Sequence, residues 1–254
     1  MTTPTAVPDE RNHTTIVVGA SRGFGHGVAT AFADAGRPVV AVARSERPLL
    51  ELARQMANVR PVVADAADPS VPGALYDRFQ PSDVIIVAGA APLMRPLHHH
   101  TWETFSANWN TDVRAAFHWL REALITPLQP GSRVIVVSSG AAINGSPLSG
   151  GYAGAKATQR FITGYAQEEA RLAGLGLSFT TVLPQLTAAT GLGLSAVQAY
   201  AKRAGRTLEA HLQQLGDQLT PEIAGAALLE LARVDAPALA SAYRLTAAGT
   251  VALP

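Results

Sequence analysis

Thr14-Thr-Ile-Val-Val-Gly-Ala-Ser-Arg-Gly-Phe-Gly25 is the stretch of this sequence that decides the fold. Its first five residues are all β-branched and predict a strand, after which three glycines open a helix. In this setting Gly19 permits a tight turn, Gly23 lets the backbone approach a pyrophosphate, and Gly25 lets the helix pack closely on the strand. The free N–H groups at the start of the helix would then bind the pyrophosphate. The stretch therefore predicts a dinucleotide-binding unit.

The same alternation of strand and helix continues along the chain. Short apolar runs predict further strands at residues 38–43, 59–64, 83–88, 133–138, 177–183 and 242–246. They are continuous rather than alternating, as expected for strands covered on both faces. We therefore predict an α/β fold, a doubly wound (Rossmann) parallel sheet of about seven strands with helices on both faces.

Length and composition predict the domain organisation. The 254 residues suffice for one large α/β domain, and 48% hydrophobic with 15% charged residues supply a sizeable core. Residues 1–12 mix prolines, threonines and both charge signs, which predicts a flexible N-terminal tail before a single dinucleotide-binding domain at 13–254. Residues 187–220 hold no predicted strand although they lie between two of them, so we expect a substrate lid there.

Charge, cysteine content and hydropathy argue against several classes of protein. The net charge of +1 comes with no basic run, which argues against nucleic-acid binding. Cysteine is absent, which excludes disulfides, thiol catalysis and cysteine-ligated metals and fits a cytoplasmic location. No apolar stretch reaches the ~18 residues that span a bilayer. His98, His99 and His100 cannot easily all face one ion from an extended loop, so no metal site is predicted.

A second group of residues predicts proton transfer. Gly150-Gly-Tyr-Ala-Gly-Ala-Lys156 begins a helix, so Tyr152 and Lys156 lie one turn apart on one face. An isolated tyrosine titrates near pH ~10, but a nearby ammonium and an oxidised nicotinamide would both favour its phenolate. Ser139 ends a predicted strand at the sheet edge that binds ligands, where its hydroxyl could hold a substrate oxygen.

The spacing of the glycine loop, Gly-x-x-x-Gly-x-Gly, together with Ser139, Tyr152 and Lys156, resembles the short-chain dehydrogenase/reductase family over about residues 14–190. The resemblance implies that the serine, tyrosine and lysine are catalytic and that the lysine also bonds the nicotinamide ribose. It further implies an asparagine that relays protons to the lysine. We assign this role to Asn110, with Asn108 as the competing candidate, because the spacing to Phe117 favours Asn110.

The residues around the second strand predict which nucleotide binds. That strand ends at Arg44 without the carboxylate that binds the ribose of NAD, and Arg22 offers a second guanidinium. Two guanidiniums would hold the extra phosphate of NADP, so NADP(H) is favoured over NAD(H). By the resemblance, Asp65 would bond the adenine. The full predicted set of cofactor-binding residues is Gly19, Ser21, Arg22, Gly23, Phe24, Gly25, Arg44, Asp65, Ala88, Gly89, Tyr152, Lys156 and Pro184.

Two segments depart from the family pattern. The usual Asn-Asn-Ala-Gly is here Ile86-Val-Ala-Gly-Ala90, and the usual Pro-Gly is Pro184-Gln185. The first change bears on stability more than on chemistry. The second could alter placement of the nicotinamide ring or supply a polar contact to the substrate.

The sequence thus predicts an NADP(H)-dependent short-chain oxidoreductase that reduces a ketone to a secondary alcohol. Its substrate would be a small, partly apolar carbonyl or alcohol, because the loops at the strand ends carry Pro92, Leu93, Met94, Leu148 and Leu186. The aromatic stripe from Trp102 to Phe117 has the spacing of core residues, and the family resemblance implies that this helix packs against a partner subunit in a homodimer or homotetramer. Two alternatives stay open, namely dehydration or epimerisation by the same groups, and a nucleotide-binding regulator or assembly partner with vestigial catalysis.

Overall fold

The computed structural model describes residues 13–87 and 89–254, so the predicted N-terminal tail lies outside the described residues. Eight strands form one sheet in the order β3-β2-β1-β4-β5-β6-β7-β8, parallel throughout except for the last pair. The predicted doubly wound α/β fold is confirmed. The strands are β1 (Thr15–Val18), β2 (Val39–Ala43), β3 (Val59–Val63), β4 (Asp83–Ile86), β5 (Arg133–Val137), β6 (Ser178–Pro184), β7 (Ala242–Thr246) and β8 (Gly249–Leu253).

The eighth strand is the one the sequence did not predict. β8 turns back on β7 through Ala247 and Ala248 and pairs antiparallel with it, from Thr246 opposite Gly249 onward. Gly249 adopts a φ of +107°, which only glycine accepts readily. The connection lacks the Asn-Gly or Asp-Gly signature of two-residue hairpin loops, so Gly249 alone marks a turn in the local sequence.

Helices cover both faces of the sheet. The side chains of successive strand residues point to opposite faces of the sheet and pack in two separate cores. Val17, for example, packs in one core, whereas Ile16 and Val18 pack in the other. The first core includes residues of α1, α2 and α10, and the second includes residues of α3, α5 and α7. The helices are α1 (Gly23–Asp34), α2 (Glu46–Gln55), α3 (Ser70–Phe79), α4 (Trp102–Asn108), α5 (Arg114–Ile125), α6 (Ala141–Asn144), α7 (Tyr152–Leu172), α8 (Gly191–Arg203), α9 (Leu208–Leu215) and α10 (Pro221–Arg233).

The strand order locates the ligand site. β1 and β4 are neighbours, and from them the chain builds outward in opposite directions. In sheets of this kind, ligands bind in the crevice beyond the carboxyl ends of the strands at such a switch point. The glycine loop after β1 and the segment after β4 therefore meet at one edge.

The helix predicted to begin near Thr101 is interrupted. Thr101 caps α4, and a π-helical turn, Trp109–Val113, joins α4 to α5. A π-helical turn holds an extra residue relative to the α-helix, so it changes which side chains share a face downstream. The interruption decides which residue of this segment reaches the site.

The segment predicted as a lid contains α8 and α9. Its two ends are tied together, because the Gln185 side chain donates to the Asp217 carbonyl at 2.8 Å and Gln218 accepts from the Ala188 N–H at 2.8 Å. Its function as a lid stays a prediction. Among the described helices, none combines the length and the apolar character needed to cross a membrane.

Candidate active site

A cleft of about 1590 Å³ lies at the carboxyl edge of the sheet. Its walls come from the glycine loop, the ends of β2, β3, β5 and β6, and parts of α7 and α8. Apart from Ala88, which lies outside the described residues, every residue predicted from the sequence to be catalytic or to bind the cofactor lines this cleft. The fold thus brings together at one edge residues that lie far apart in sequence.

The glycine loop presents backbone N–H groups to the cleft in addition to residues Ser21, Arg22 and Phe24. Gly19 and Gly23 have φ values of +91° and +55°, and a Cβ on Gly25 would lie 2.1 Å from the Gly19 carbonyl oxygen. No side chain caps the start of α1 at Arg22, so the first N–H groups of the helix face the cleft without a side-chain acceptor. This cradle fits the pyrophosphate of a dinucleotide, which would accept those N–H groups.

Charged side chains cluster at the end of the cleft formed by β2 and β3. Arg22 and Arg44 are both exposed, and both line the cleft, as does Ser45. Asp65, just beyond β3, uses Oδ1 to accept a hydrogen bond from the Ala67 N–H at 3.0 Å. The lining of the cleft thus includes these two guanidiniums together with the carboxylates of Asp65 and Asp68.

Ser139, Tyr152 and Lys156 lie where β5 ends and α7 begins. Tyr152 and Lys156 are largely buried, at 8% and 4% exposure, and Lys156 Nζ lies 5.6 Å from the centre of the Tyr152 ring. Ser138 Oγ donates to the Lys156 carbonyl at 2.7 Å and so ties β5 to the first turn of α7. Ser139 Oγ accepts the Ala141 N–H at 3.2 Å, which leaves its own proton available to a ligand.

A close backbone contact sets the position of α7. A Cβ on Gly151 would lie 2.1 Å from the Phe105 carbonyl oxygen of α4. Glycine at this position lets the first turn of α7 pack against α4, and Tyr152 follows directly. The glycine pair before the tyrosine is therefore a packing requirement as well as a helix start.

Lys156 has two acceptors that the sequence did not predict. Its Nζ donates to Gln159 Oε1 at 3.0 Å and lies 3.2 Å from Asp112 Oδ2 of the π-helical turn. Gln159 in turn donates to the Asp112 carbonyl at 2.8 Å. Burial alone would lower the pKa of Lys156, but the charges of Asp112 and then of Tyr152 outweigh it, so the pKa of Lys156 lies above its ordinary value.

The last residue of α4 and the π-helical turn together hold the segment after β4. Asn108 donates to the Ala90 carbonyl at 2.8 Å, and Asp112 Oδ1 accepts the Ala90 N–H at 2.8 Å. Both backbone groups of Ala90 are thus bonded to side chains of one helical segment. This bonding compensates at least locally for the side-chain amides that the Ile86-Val-Ala-Gly-Ala90 segment lacks.

Asn110 takes a different position from that expected. It is exposed and lines the cleft, and among the described residues Asp112, rather than Asn110, lies within ion-pair distance of Lys156. The relay role of Asn110 stays a prediction. The sequence offered no distinct signal for Asp112, because the same helical segment also carries Glu103, Arg114, Arg121 and Glu122.

The far end of the cleft is formed by α8 and the loop before α7. Tyr200 of α8 contacts Ser146 of that loop through their hydroxyl groups. Thr190, which caps α8, packs beside Gly23, since a Cβ there would lie 3.6 Å from its methyl group. The segment predicted as a lid therefore touches both the glycine loop and the substrate end. Within the described ranges, no group of three or more His, Asp or Glu side chains is placed to hold a metal ion.

Comparisons with known proteins agree with this architecture. A profile of the family described as short chain dehydrogenase matches residues 13–197. L-xylulose reductase of Cavia porcellus is 32% identical over 100 residues, 39% of this chain and 41% of that protein. Carbonyl reductase (NADPH) 2 of Sus scrofa is 29% identical over 126 residues, 48% of this chain and 52% of that protein. The matches thus span about half the length of these relatives or less.

A solved structure shows the same fold at low sequence identity. A variant of the actinorhodin polyketide ketoreductase, determined with NADPH, superposes with a TM-score of 0.79 over 92% of this chain and 95% of that chain, at 16% identity. The assignment to a family rests on the profile and not on the shared fold, because the profile matches most of the chain, from the strand before the glycine loop into α8. The chain belongs to the short chain dehydrogenase family.

Proposed function

We propose that this chain is an NADP(H)-dependent oxidoreductase that reduces a ketone to a secondary alcohol. The observation that carries the proposal is the placement of Tyr152 and Lys156, buried and one helical turn apart, beside Ser139 on the floor of a cleft whose other end presents the glycine cradle. A proton donor and a nucleotide cradle in one cleft are what carbonyl reduction requires.

Each catalytic group has a defined task. A bound nicotinamide supplies the hydride. Ser139 donates its hydroxyl proton to the carbonyl oxygen and so orients the substrate. Tyr152 transfers its phenolic proton to that oxygen as negative charge develops on it. Lys156 stabilises the phenolate that remains, and one of its three N–H donors stays available for the ribose, since Gln159 and Asp112 face the other two.

The preference for NADP(H) rests on Arg22 and Arg44. Both guanidiniums line the cleft and follow β1 and β2 in the chain. One relative is named a carbonyl reductase (NADPH), and the ketoreductase structure contains NADPH. These names describe those proteins, and they are consistent with the NADP(H) preference that we infer from Arg22 and Arg44.

The substrate we propose is uncharged and partly apolar. The end of the cleft beyond Ser139 is lined by apolar and neutral polar side chains. Lys202 and Arg203 of α8 and Arg206 after it are not among the residues that line the cleft. A ligand there would meet no charged partner except the catalytic lysine, which favours a neutral carbonyl compound over an anionic one. The lining residues at this end include Pro92, Met94, Asn144, Ser146, Leu186, Leu192 and Tyr200.

We also propose that the chain forms a homo-oligomer. Exposed aromatic side chains lie on the π-helical turn, α5 and α7, with Trp109, Phe117, Phe161 and Tyr165 between 42% and 65% exposed. Large apolar side chains exposed together on adjacent helices mark association surfaces. The particle mass in solution, by light scattering, would be at least twice 26.5 kDa.

Titration with NADPH and with NADH, followed by nicotinamide fluorescence, tests the function. A panel of neutral ketones is then added to the same sample. We expect tight NADPH binding, weaker NADH binding and NADPH oxidation by at least one ketone. Turnover without net oxidation of the nucleotide would favour dehydration or epimerisation. NADPH binding without any reaction across the panel would favour the regulator, and tighter NADH binding would contradict the assignment of the arginines.

A further inference from the structure

One residue of the run of three histidines before α4 turns inward. His98 and His99 are exposed, whereas His100 is half-buried. Its ring packs on Gly150, where a Cβ would lie 2.7 Å from the ring carbon Cε1, and meets the ring of Phe105 edge-on with centroids 6.5 Å apart. His100 is not among the described residues that line the cleft. The ring therefore fills the space between the segment after β4 and the loop that precedes α7.

Both ring nitrogens of His100 have hydrogen-bond partners. Nε2 lies 3.2 Å from the Arg95 carbonyl oxygen, and because a carbonyl only accepts, Nε2 carries a hydrogen and donates it. Nδ1 lies 3.2 Å from the hydroxyl of Thr104, which can accept or donate. Thr104 belongs to the capping box of α4, where its hydroxyl accepts the Thr101 N–H at 3.0 Å. His100 thus joins the segment after β4 to the start of α4.

Arg95, the acceptor of the first bond, is itself paired with the loop before α7. Its N–H donates to the Leu148 carbonyl at 2.8 Å, and it forms a parallel bridge with Ser149. The Ser149 N–H and hydroxyl both donate to the Ser146 carbonyl at 3.0 Å, so this loop is closed by two bonds. The bond from His100 therefore acts on a backbone junction between two segments of the chain.

We call these two joined segments, residues 92–100 and 146–151, the substrate wall. Met94 and Ser146 of this wall line the end of the cleft that the substrate would occupy. Arg95 stands directly after Met94, so a displacement of the junction moves the lining of the cleft.

The proton donor is held by further contacts outside this wall. The Tyr152 N–H donates to the Ser149 carbonyl at 3.1 Å, which joins α7 to the wall. The first turn of α7 is also bonded to β5 through Ser138, whose hydroxyl donates to the Lys156 carbonyl, and Gly151 packs on α4. A looser wall should therefore leave Tyr152 in place.

We propose that His100 is a positioning residue that fixes the substrate wall and so sets the affinity for the ketone, without taking part in NADPH binding or proton transfer. An interaction that supports the ground state and the transition state equally lowers KM and leaves kcat unchanged. The effect on the ketone rests on the proposed function, but the effect on the wall does not.

Amide hydrogen exchange at Arg95, followed by NMR, tests the wall without substrate or nucleotide. His100→Phe keeps a ring against Gly150 and removes both ring hydrogen bonds. We expect the Arg95 amide to exchange about tenfold faster than in the wild type, because opening of the wall no longer breaks the bond from His100. His98→Phe, the same change at an exposed position, should leave the exchange rate unchanged. Equal exchange in the wild type and His100→Phe would overturn the proposal.

Two amide variants separate the ring nitrogens and decide the matter if His100→Phe does not fold, as judged by circular dichroism. His100→Gln carries its amide N–H to the position of Nε2 and can donate to the Arg95 carbonyl. His100→Asn is one methylene shorter, so its amide reaches only the position of Nδ1. We expect exchange at Arg95 to match the wild type in His100→Gln and to be faster in His100→Asn. Equal rates in these two variants would contradict the role of the bond to Arg95.

The kinetic readout separates this proposal from the proposed function. With a ketone that the wild type reduces, His100→Phe should raise KM about tenfold, while kcat and the Kd for NADPH change less than about twofold. A fall in kcat at unchanged KM, or an equal loss of NADPH affinity, would overturn the proposal. A wild type that reduces no ketone contradicts the proposed function, whereas the exchange rates still test His100.

Discussion

The glycine loop and the π-helical turn form two walls of the same cleft, but they differ in what they present to it. The loop presents backbone N–H groups, and its glycines are required because a Cβ on Gly25 would meet the Gly19 carbonyl at 2.1 Å. The π-helical turn presents side chains, and its contribution depends on which residue faces Lys156. The first wall is sensitive to any added atom. The second wall is sensitive to which residues it contains and to which of them the helical turn points toward Lys156.

Gly25→Ala should have the largest effect. The methyl group must displace backbone of the loop itself, so we expect the Kd for NADPH to rise on the order of 100-fold. Gly164→Ala is the control, because Gly164 lies within α7 with no atom in the way of its Cβ. NADPH binding should be unchanged there. Equal binding by the two variants would show that the backbone of the loop does not form the cradle.

Asn108→Ala and Asn110→Ala compare two side chains of the second wall. Asn108 is buried and bonds the Ala90 carbonyl, so its removal should lower the free energy of unfolding by about 1–3 kcal/mol. Asn110 is exposed, and its removal should change that free energy by less than about 0.5 kcal/mol. Denaturant titration measures both. Loss of NADPH-dependent turnover in Asn110→Ala at unchanged stability would support its relay role instead.

Arg22→Ala and Arg44→Ala test the charged end of the first wall, with the smallest effect. Both side chains are exposed, so solvent screening limits their contribution. We expect each change to weaken NADPH binding about tenfold at low salt while NADH binding changes less than about twofold. Arg54→Ala, an exposed position on α2, is the control. Parallel losses for both nucleotides would place the arginines away from the extra phosphate.

The fold was predictable because buried parallel strands have a simple sequence pattern. Each of the seven predicted strands overlaps an observed one with bounds shifted by at most two residues, since continuous apolar runs are typical of strands covered on both faces. β8 was missed because it is partly exposed and follows an Ala-Ala connection. An exposed edge strand is defined by its pairing with β7, which the local sequence does not encode.

The site was predictable where residues stand at the ends of regular elements. Ser139 lies two residues beyond the end of β5 and Tyr152 begins α7, so the strand and helix bounds suffice to bring them to one edge. Asp112 was missed because the spacing of residues does not reveal a π-helical turn. In an unbroken α-helix, the residues of this segment would point in different directions. Gln185, which was expected near the nicotinamide or the substrate, lines the cleft, and its side-chain amide donates to the Asp217 carbonyl at the end of the predicted lid.

The most direct test of the central claim, that Tyr152 is the proton donor of a ketone reductase, is the turnover of Tyr152→Phe with NADPH and an active ketone. Tyr165→Phe, the same change at an exposed position of the same helix, is the control. We expect NADPH binding to persist in Tyr152→Phe while kcat falls by roughly 100- to 10,000-fold, and kcat to be retained in Tyr165→Phe. Undiminished turnover in Tyr152→Phe would contradict the mechanism.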